Sequence, residues 1–204
     1  MLLPHYTDKI EAGCDEAGRG CLAGPVMAAA VVLPPGYANP RLNDSKQLSE
    51  QQRYLLREEI ERDAVAWAVA QVDNEDIDRM NILKASMHAM NLAVKQLRVK
   101  PEFLLIDGNR FVNETDIPFA TIVKGDAKYM AIAAASILAK TYRDDYMMAA
   151  HQQHPLYGWD RNKGYPTKAH YEALEQHGPT PLHRKSFRLE RQLSLSFNDS
   201  SENV

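Results

Sequence analysis

Short apolar runs with the length of β-strands alternate with longer segments of helical periodicity, and this order constrains the fold most. Two strand-like runs come first, separated only by a glycine-rich stretch. Strand-like and helical segments then alternate along the rest of the chain. An antiparallel start followed by this alternation predicts one α/β domain, built on a mixed β-sheet that helices flank. The strand-like runs lie at residues 9–14, 26–33, 64–72, 103–106 and 119–123.

The sequence also marks where several helices begin. Ser49 and Gln52 form a capping box, in which each side chain accepts from the other residue's backbone N–H. Thr167 is placed to cap a helix near the C-terminus, which predicts a small C-terminal helical lobe. Either Asn74 or Asp76 can cap one long helix with unbroken apolar spacing. These signals, with an alanine-rich segment, predict helices over residues 49–62, 74–97, 128–150 and 167–176.

Composition indicates an ordinary soluble globular chain of 204 residues. Hydrophobic residues make up 45% and charged residues 25%, which excludes collagen-like and disordered classes. The longest apolar run, residues 130–139, is far shorter than the roughly 20 residues that span a bilayer, so no membrane partner is expected. The sequence does not open with the pattern of a secretory signal, and a cytoplasmic location is expected. One compact domain makes a monomer the simplest expectation.

Acidic residues stand at the ends of three strand-like runs, each beside glycine. They are Asp15 with Glu16, Asp107 and Asp126. Side chains from separate strands converge beyond the strand ends of an α/β sheet. Four carboxylates in one place raise one another's pKa unless cations intervene. A carboxylate pocket without His or Cys favours Mg²⁺ or Mn²⁺, and two such ions can promote hydrolysis of a phosphodiester.

Each of these carboxylates also has a purely structural interpretation. Asp107 precedes a glycine, which is a common turn signal. Asp126 can be the N-cap of the helix that follows it. Asp15 and Glu16 are adjacent, so in a regular strand they point to opposite faces. Both reach one site only if the strand ends or kinks there.

The glycine-rich motif Gly18-Arg19-Gly20 follows the first acidic pair. Glycines at this spacing allow backbone N–H groups to approach a phosphate or a ribose 2′-hydroxyl closely, and Arg19 adds positive charge. A tight turn with a solvated arginine is the alternative. The motif matches neither the dinucleotide-binding glycine pattern nor a P-loop.

Two further sets of charged residues are candidates for weaker roles. Net charge is −3, but basic residues cluster late in the chain. Arg184, Lys185 and Arg188 are expected either to attract a duplex backbone or to form a solvated basic segment. Asp144 or Asp145 is the alternative fourth metal ligand, although a solvated helix face is favoured for both.

Five ordered blocks together resemble the ribonuclease HII family, over about residues 10–190. The blocks are residues 14–20 (CDEAGRG) with 23–26 (AGPV), 43–49 (NDSKQLS), 106–108 (IDG), 124–128 (KGDAK) running into 133–140 (AAASILAK), and 162–167 (NKGYPT) with His170 and 183–187 (HRKSF). Many members carry histidine where Asn162 stands, so this position is assigned no role. Five blocks in this order are highly specific.

The resemblance implies a role for each matching residue. The family's metal-binding catalytic carboxylates correspond to Asp15, Glu16, Asp107 and Asp126. The loop that reads the ribonucleotide at an RNA–DNA junction corresponds to Gly18, Arg19 and Gly20. Tyr165 corresponds to the tyrosine that stacks on the next, deoxy sugar and senses the absence of a 2′-hydroxyl. Lys46 lies in the second block, where it is expected to contact a phosphate or to be solvated.

The family's properties then define the expected function. It has an RNase H-like fold and, with two Mn²⁺ or Mg²⁺ ions, cleaves the RNA strand of RNA–DNA hybrids. It also nicks DNA duplexes 5′ to embedded ribonucleotides, leaving 5′-phosphate and 3′-hydroxyl ends. The alternative is a non-catalytic protein that binds RNA–DNA hybrids.

The resemblance also suggests a division of the chain. Residues 1–150 are expected to form the catalytic domain, and residues 151–191 a helical and basic segment that completes the substrate groove. Residues 192–204 are expected to be a flexible tail. Some members carry an apolar motif for the replication clamp, and residues 193–197 are only suggestive of one.

Overall fold

A mixed β-sheet forms the centre of the computed structural model, which describes residues 2–43 and 45–189. Its strands are β1 (Glu11–Ala17), β2 (Val26–Val32), β3 (Ala66–Val72), β4 (Phe103–Asp107) and β5 (Phe119–Ile122). The order across the sheet is β3-β2-β1-β4-β5. The strands β1, β2 and β3 pair antiparallel, whereas β4 is parallel to β1 and β5 is parallel to β4. The predicted antiparallel start and mixed α/β sheet are therefore confirmed.

Helices connect and cover the strands. They are α1 (Glu50–Asp63), α2 (Asn74–Met80), α3 (Ile82–Lys95), α4 (Met130–Gln153), α5 (Trp159–Asn162) and α6 (Lys168–His177). Short 3₁₀ turns form at Ser45–Gln47, Gly125–Ala127 and Pro155–Tyr157. The predicted capping box of Ser49 and Gln52 is present at the start of α1, and Thr167 caps α6 as expected.

The two faces of the sheet bury separate apolar clusters. Along β2, Ala28 and Ala30 face the cluster that includes α3. Ala29 and Val31 face the opposite cluster, to which α1 and α4 contribute. Every residue of β2 is buried, as expected for a strand covered on both faces. Helices on both sides therefore hold the strand ends in fixed positions.

A third apolar cluster lies at the C-terminal end of α4. Trp159 is fully buried there, against Met147 and Ala150 of α4 and Leu174 of α6. The loop after β1 contributes Leu22 to the same cluster. The predicted C-terminal helical lobe therefore packs directly on the loop that carries the glycine-rich motif. The predicted tail, residues 192–204, and the suggested clamp-binding segment within it lie outside the described residues.

Two predicted boundaries are wrong. The first strand does not end at residue 14, because β1 stays paired with β2 through Ala17. The single helix predicted from Asn74 or Asp76 is two helices, and Asp73 caps the first. Asn81 separates them with φ of 71°, and its side chain accepts from the Lys84 N–H at 3.1 Å to cap α3. An asparagine in this conformation breaks a helix without interrupting the apolar spacing.

Candidate active site

The register of two parallel strands brings the first and third acidic positions together. The pairing of β1 with β4 ends at Cys14 and Ile106. Asp15 and Asp107 each follow one residue later, on the same side of the pair. Residues adjacent in a parallel ladder have neighbouring side chains that point to the same face. The convergence predicted at the strand ends is therefore present for these two carboxylates.

Glu16 lies next to this pair although it belongs to a regular strand. After Cys14, β1 keeps its β2 partner but has lost β4, so the β4-facing edge is open. Asp15 and Glu16 both line the cavity that forms at this opening. The Arg19 side chain returns to Glu16, with its Nη1 at 3.1 Å from Oε1. Asp15 and Glu16 were expected to reach one site only if the strand ended or kinked. The open edge of β1 allows both to reach it instead.

Asp126 completes the acidic set from the turn before α4. The backbone N–H of Gly125 donates to Asp107 Oδ1 at 2.7 Å, which fixes this turn against the end of β4. Asp126 is buried, and Lys46 Nζ lies 3.5 Å from its Oδ2. Asp126 does not cap α4, whose N-cap is Tyr129 without a side-chain hydrogen bond. The structural alternative for Asp126 is therefore wrong.

The N-terminal part of α4 packs closely against β1 beside the acidic cluster. A Cβ atom at Gly13 would collide with the backbone of Ala131, so glycine allows α4 to cross β1 this closely. The approach places Ser136 where it donates to the Asp15 carboxylate. The Ser45 and Ser136 hydroxyls lie 2.9 Å apart. This close crossing therefore fixes the orientation of Asp15.

Burial and mutual repulsion make the carboxylates weaker acids. The pKa of Asp15 lies well above its usual range because of burial, and the charges of Glu16 and Asp107 raise it further. Burial raises the pKa of Glu16, although Arg19 opposes this. The pKa of Asp107 is raised by burial and by Asp126, against the hydrogen bond from Gly125. A group of carboxylates in this condition is stabilised by added positive charge.

The loop after β1 is held by two buried arginines. Arg143 of α4 donates to the carbonyl oxygens of Pro25, Ala23 and Lys163 at 2.8–3.0 Å. Gly18, with φ of 96°, lies directly on the Arg143 side chain, where a Cβ atom would overlap it. The guanidinium therefore ties this loop to the segment that precedes Tyr165.

Arg184 anchors the same loop from the C-terminal segment. It is fully buried, and it donates to Gly24 O and Arg19 O, both at 3.0 Å. The expectation that Arg184 attracts a duplex backbone is therefore wrong, whereas Lys185 and Arg188 are exposed. Nothing in the sequence marks Arg143 as buried, since an arginine in a helix ordinarily faces solvent.

Tyr165 lines the same cavity as the carboxylates. Its ring is partly exposed, while its hydroxyl lies beside the buried thiol of Cys21. Burial raises the pKa of Tyr165 to about 12, so the phenol is neutral. Lys140 Nζ and the Arg143 guanidinium carbon each lie 5.8 Å from the ring centre. An exposed ring face at the edge of an acidic cavity can contact a sugar.

The sequence-predicted residues line one open cavity of about 320 Å³. The lining includes Asp15, Glu16, Asp107, residues 18–20, Lys46 and Tyr165. Asp126 is not part of the lining, but its carboxylate lies 3.5 Å from Nζ of Lys46, which is. A larger cavity of about 440 Å³ lies between the N-terminal segment and the loop after β2, and its lining is mostly apolar. The smaller cavity is the candidate active site because it is lined by the carboxylates whose charges raise one another's pKa.

The carboxylate oxygens of the acidic residues are suitable ligands for a hard divalent cation. Asp15, Glu16, Asp107 and Asp126 offer only oxygen atoms, which Mg²⁺ and Mn²⁺ prefer. Among residues 2–43 and 45–189, no three His, Cys, Asp or Glu side chains are arranged to hold a metal as they stand. Arg19 and Lys46 instead supply the positive charge next to Glu16 and Asp126.

The alternative fourth ligands lie elsewhere. The Asp144 carboxylate forms an ion pair with Lys140 at 2.5 Å. Asp145 accepts from the Tyr54 hydroxyl and the Arg57 guanidinium, both at 2.6 Å. Neither aspartate lines the cavity.

Comparison with known proteins gives the family of the chain. The sequence model of the family Ribonuclease HII matches residues 12–190. The chain belongs to the ribonuclease HII family. It is 62% identical over 200 residues to Ribonuclease HII of Bacteroides thetaiotaomicron, which covers 97% of this chain and 100% of that protein. It is 64% identical over 199 residues to Ribonuclease HII of Parabacteroides distasonis, with coverage of 97% and 100%.

A solved structure of the same family has the same fold. RNase HII of Archaeoglobus fulgidus, determined in a complex with PCNA, superposes with a TM-score of 0.75 at 27% identity. The match covers 91% of this chain and 98% of that one. The RNase H-like fold and the assignment to ribonuclease H hydrolases are therefore confirmed, and the non-catalytic alternative is set aside. Within residues 2–43 and 45–189, no helix is long and apolar enough to cross a membrane.

Proposed function

We propose that this protein hydrolyses the RNA strand of RNA–DNA hybrids and nicks duplex DNA 5′ to single embedded ribonucleotides. The observation that carries the proposal is one cavity that is lined by the carboxylates of Asp15, Glu16 and Asp107 together with the residue 18–20 loop and Tyr165. A phosphate at the carboxylates and its neighbouring sugars at the loop and the tyrosine fit such an arrangement. The cavity is open, as a polymeric substrate requires.

Asp15, Glu16, Asp107 and Asp126 are the residues that would hold the divalent metal. When bound, Mg²⁺ or Mn²⁺ supplies the positive charge that activates a water molecule and stabilises the departing oxygen. The chain's own part is to fix the carboxylates. Ser136 orients Asp15, and the Gly125 N–H orients Asp107. The raised pKa values of these carboxyls support a site that favours added cations.

The loop of residues 18–20 would read the ribose. Gly18 is buried against Arg143, whereas a Cβ atom at Gly20 would meet nothing within 4 Å. Glycine at position 20 is therefore not required by packing within the chain. Its open backbone leaves room for a ribose 2′-hydroxyl to approach the N–H groups. The side chain of Arg19 is 52% exposed and remains available to a phosphate.

Tyr165 would test the following sugar. A ring stacked on the sugar face leaves no space for a 2′-hydroxyl, so the contact favours a deoxynucleotide on that side. Lys46, whose side chain is 81% exposed, also lines the cavity, beside Asp126. It is placed to contact a phosphate of the cleaved strand, and this contact should weaken with salt.

The proposed reaction is hydrolysis of one phosphodiester bond. Water attacks the phosphorus on the 5′ side of the ribonucleotide, and the bond to the 3′ oxygen of the preceding nucleotide breaks. That oxygen leaves with a proton as a 3′-hydroxyl, and the phosphate stays on the ribonucleotide. The 2′-hydroxyl is recognised but is not the nucleophile.

The test is cleavage of a labelled DNA duplex that contains one ribonucleotide, with Mg²⁺, Mn²⁺ or EDTA. We expect a metal-dependent nick 5′ to the ribonucleotide, with 5′-phosphate and 3′-hydroxyl ends. Asp107→Asn should abolish the nick while the duplex still binds, and Asp116→Asn, at an exposed site, should cleave normally. A 2′,3′-cyclic phosphate end, or cleavage in EDTA, would contradict the proposed reaction.

A further inference from the structure

Two buried histidines lie behind Tyr165 in the C-terminal lobe. His170 of α6 and His183 of the following segment are both fully buried. Their Nε2 atoms lie 3.1 Å apart. Neither ring lines the active-site cavity, so neither is positioned to contact substrate.

The donors around the pair fix the proton on each ring. The Thr180 backbone N–H points to His183 Nδ1 at 2.9 Å, so this nitrogen accepts and the His183 proton lies on Nε2. That proton is donated to His170 Nε2. The Trp159 indole N–H, which can only donate, points to the same atom at 3.2 Å. The His170 proton therefore lies on Nδ1, and both rings are neutral.

This chain of hydrogen bonds ends at Tyr165. His170 Nδ1 donates to the Tyr165 carbonyl oxygen at 3.0 Å. The same oxygen accepts from the Thr167 N–H at 2.8 Å, and the Tyr165 N–H donates to Asn162 O at 2.8 Å. At the other end of the residue, the hydroxyl lies beside the Cys21 thiol. The tyrosine is thus held at its backbone by the lobe, while its ring lines the same cavity as the glycine-rich loop.

The surroundings favour the neutral form of both rings. Tyr157 packs with its ring centre 5.0 Å from that of His183, and Trp159 lies at 5.4 Å. His154 contacts Trp159 edge-on, and Arg184 directs its guanidinium away, to Gly24 O and Arg19 O. No acidic side chain forms an ion pair with either histidine among the described residues.

We propose that His170 and His183 are positioning residues that set the angle of the Tyr165 ring and thereby the enzyme's preference for a ribonucleotide followed by deoxynucleotides. The inference rests on the proposed function, because it concerns the residues that hold Tyr165 in the position where it would contact the sugar. Cleavage of continuous RNA does not use the tyrosine to test the next sugar. Loss of the support should therefore change the ratio of two activities.

The experiment compares kcat/KM on a duplex with one ribonucleotide against kcat/KM on a continuous RNA–DNA hybrid. In His170→Leu the donor to the Tyr165 carbonyl is lost, and we expect the ratio to fall by about fivefold to tenfold, the effect of one buried hydrogen bond. In His170→Asn the side-chain amide can replace Nδ1–H, and we expect the ratio to return toward the wild-type value. His177→Asn, an exposed histidine on the same helix, is the matched control.

The ratio remains meaningful if a variant folds poorly, because unfolded enzyme lowers both activities equally. Equal loss on the two substrates in His170→Leu would overturn the inference, as would an Asn variant that behaves like the Leu variant. A wild-type enzyme that cleaves the hybrid but never nicks at a single ribonucleotide would overturn the proposed function and this inference together. The activity of the wild type on the two substrates therefore distinguishes failure of the proposed function from failure of this inference alone.

Discussion

Asp15 and Asp107 stand side by side because the ladder between β1 and β4 stops one residue before each of them. The Asp15 carboxylate is buried and that of Asp107 is half-buried where the two strands separate, and burial together with the charges of Glu16 and Asp107 raises the pKa of Asp15. The chain holds this pair in place with hydrogen bonds from Ser136 and Gly125. A stable fold therefore carries an unfavourable charge arrangement at its centre, as is common at active sites.

Asp15→Asn should separate activity from stability. A carboxyl with a raised pKa takes up protons more readily folded than unfolded, so its ionisation costs folding free energy as pH rises above about 4. At pH 7 without metal, the variant should have a melting temperature a few degrees above that of the wild type. This is the shift that an increase of about 1 kcal/mol in unfolding free energy produces in a chain of this size. Cleavage should fall by roughly a hundredfold or more. Calorimetry and the nicking assay measure the two effects, and a lower melting temperature would contradict this account.

Divalent cations should stabilise the wild-type protein. A ligand that binds only the folded state adds about 2.7 kcal/mol at one hundred times its dissociation constant. Binding should also release protons at a pH where the carboxyls with raised pKa still hold them, because a bound cation favours their ionised form. Titration calorimetry with Mn²⁺ in two buffers of different ionisation enthalpy measures this release. Asp15→Asn should lose most of the stabilisation, whereas the exposed Asp116→Asn should keep it.

Arg143→Met should be among the most destabilising substitutions in the chain. The guanidinium satisfies three buried carbonyl oxygens, and methionine of similar length would leave all three without it. We expect a loss of about 3 to 5 kcal/mol in urea denaturation. Arg161→Met, whose side chain is 84% exposed, should change stability by less than about 0.5 kcal/mol. Equal losses in the two variants would show that Arg143 does not anchor the loop.

The succession of strands and helices along the chain was predictable, as was the position of acidic residues at strand ends, because both depend on local patterns. Apolar runs that end in Asp-Gly or Gly-Asp identify strand ends, and the family motifs select the same residues. The extension of β1 through Ala17 was not predictable, because Gly13 suggests an interruption of the strand. Glycine is required there by the close crossing of α4, which is a tertiary contact.

Other features were hidden for similar reasons. The break at Asn81 leaves the apolar spacing intact, so only its positive φ reveals it. Arg143 and Arg184 looked like surface residues, since nothing nearby in sequence indicates that distant carbonyl oxygens surround them. The positions of buried charges are determined by chain segments far apart in sequence.

The buried histidine pair should make stability depend on pH in the mildly acidic range. Burial and the neighbouring His170 lower the pKa of His183 to about 4, whereas an unfolded histidine has a pKa of about 6.5. The unfolded chain therefore binds the proton first as pH falls. The stability that neutral His183 provides is fully present above pH 6.5 and is lost progressively as pH falls toward 4.

Between pH 7 and pH 5 this group alone should cost about 2 kcal/mol of folding free energy. His183→Gln cannot titrate, so its stability should change less over the same interval, even if it is lower than the wild type at pH 7. His177→Gln, at an exposed site, should retain the wild-type slope. Urea denaturation at several pH values gives each slope directly. If His183→Gln and the wild type lose stability in parallel from pH 7 to pH 5, His183 is protonated in the folded protein and the assigned proton positions are wrong.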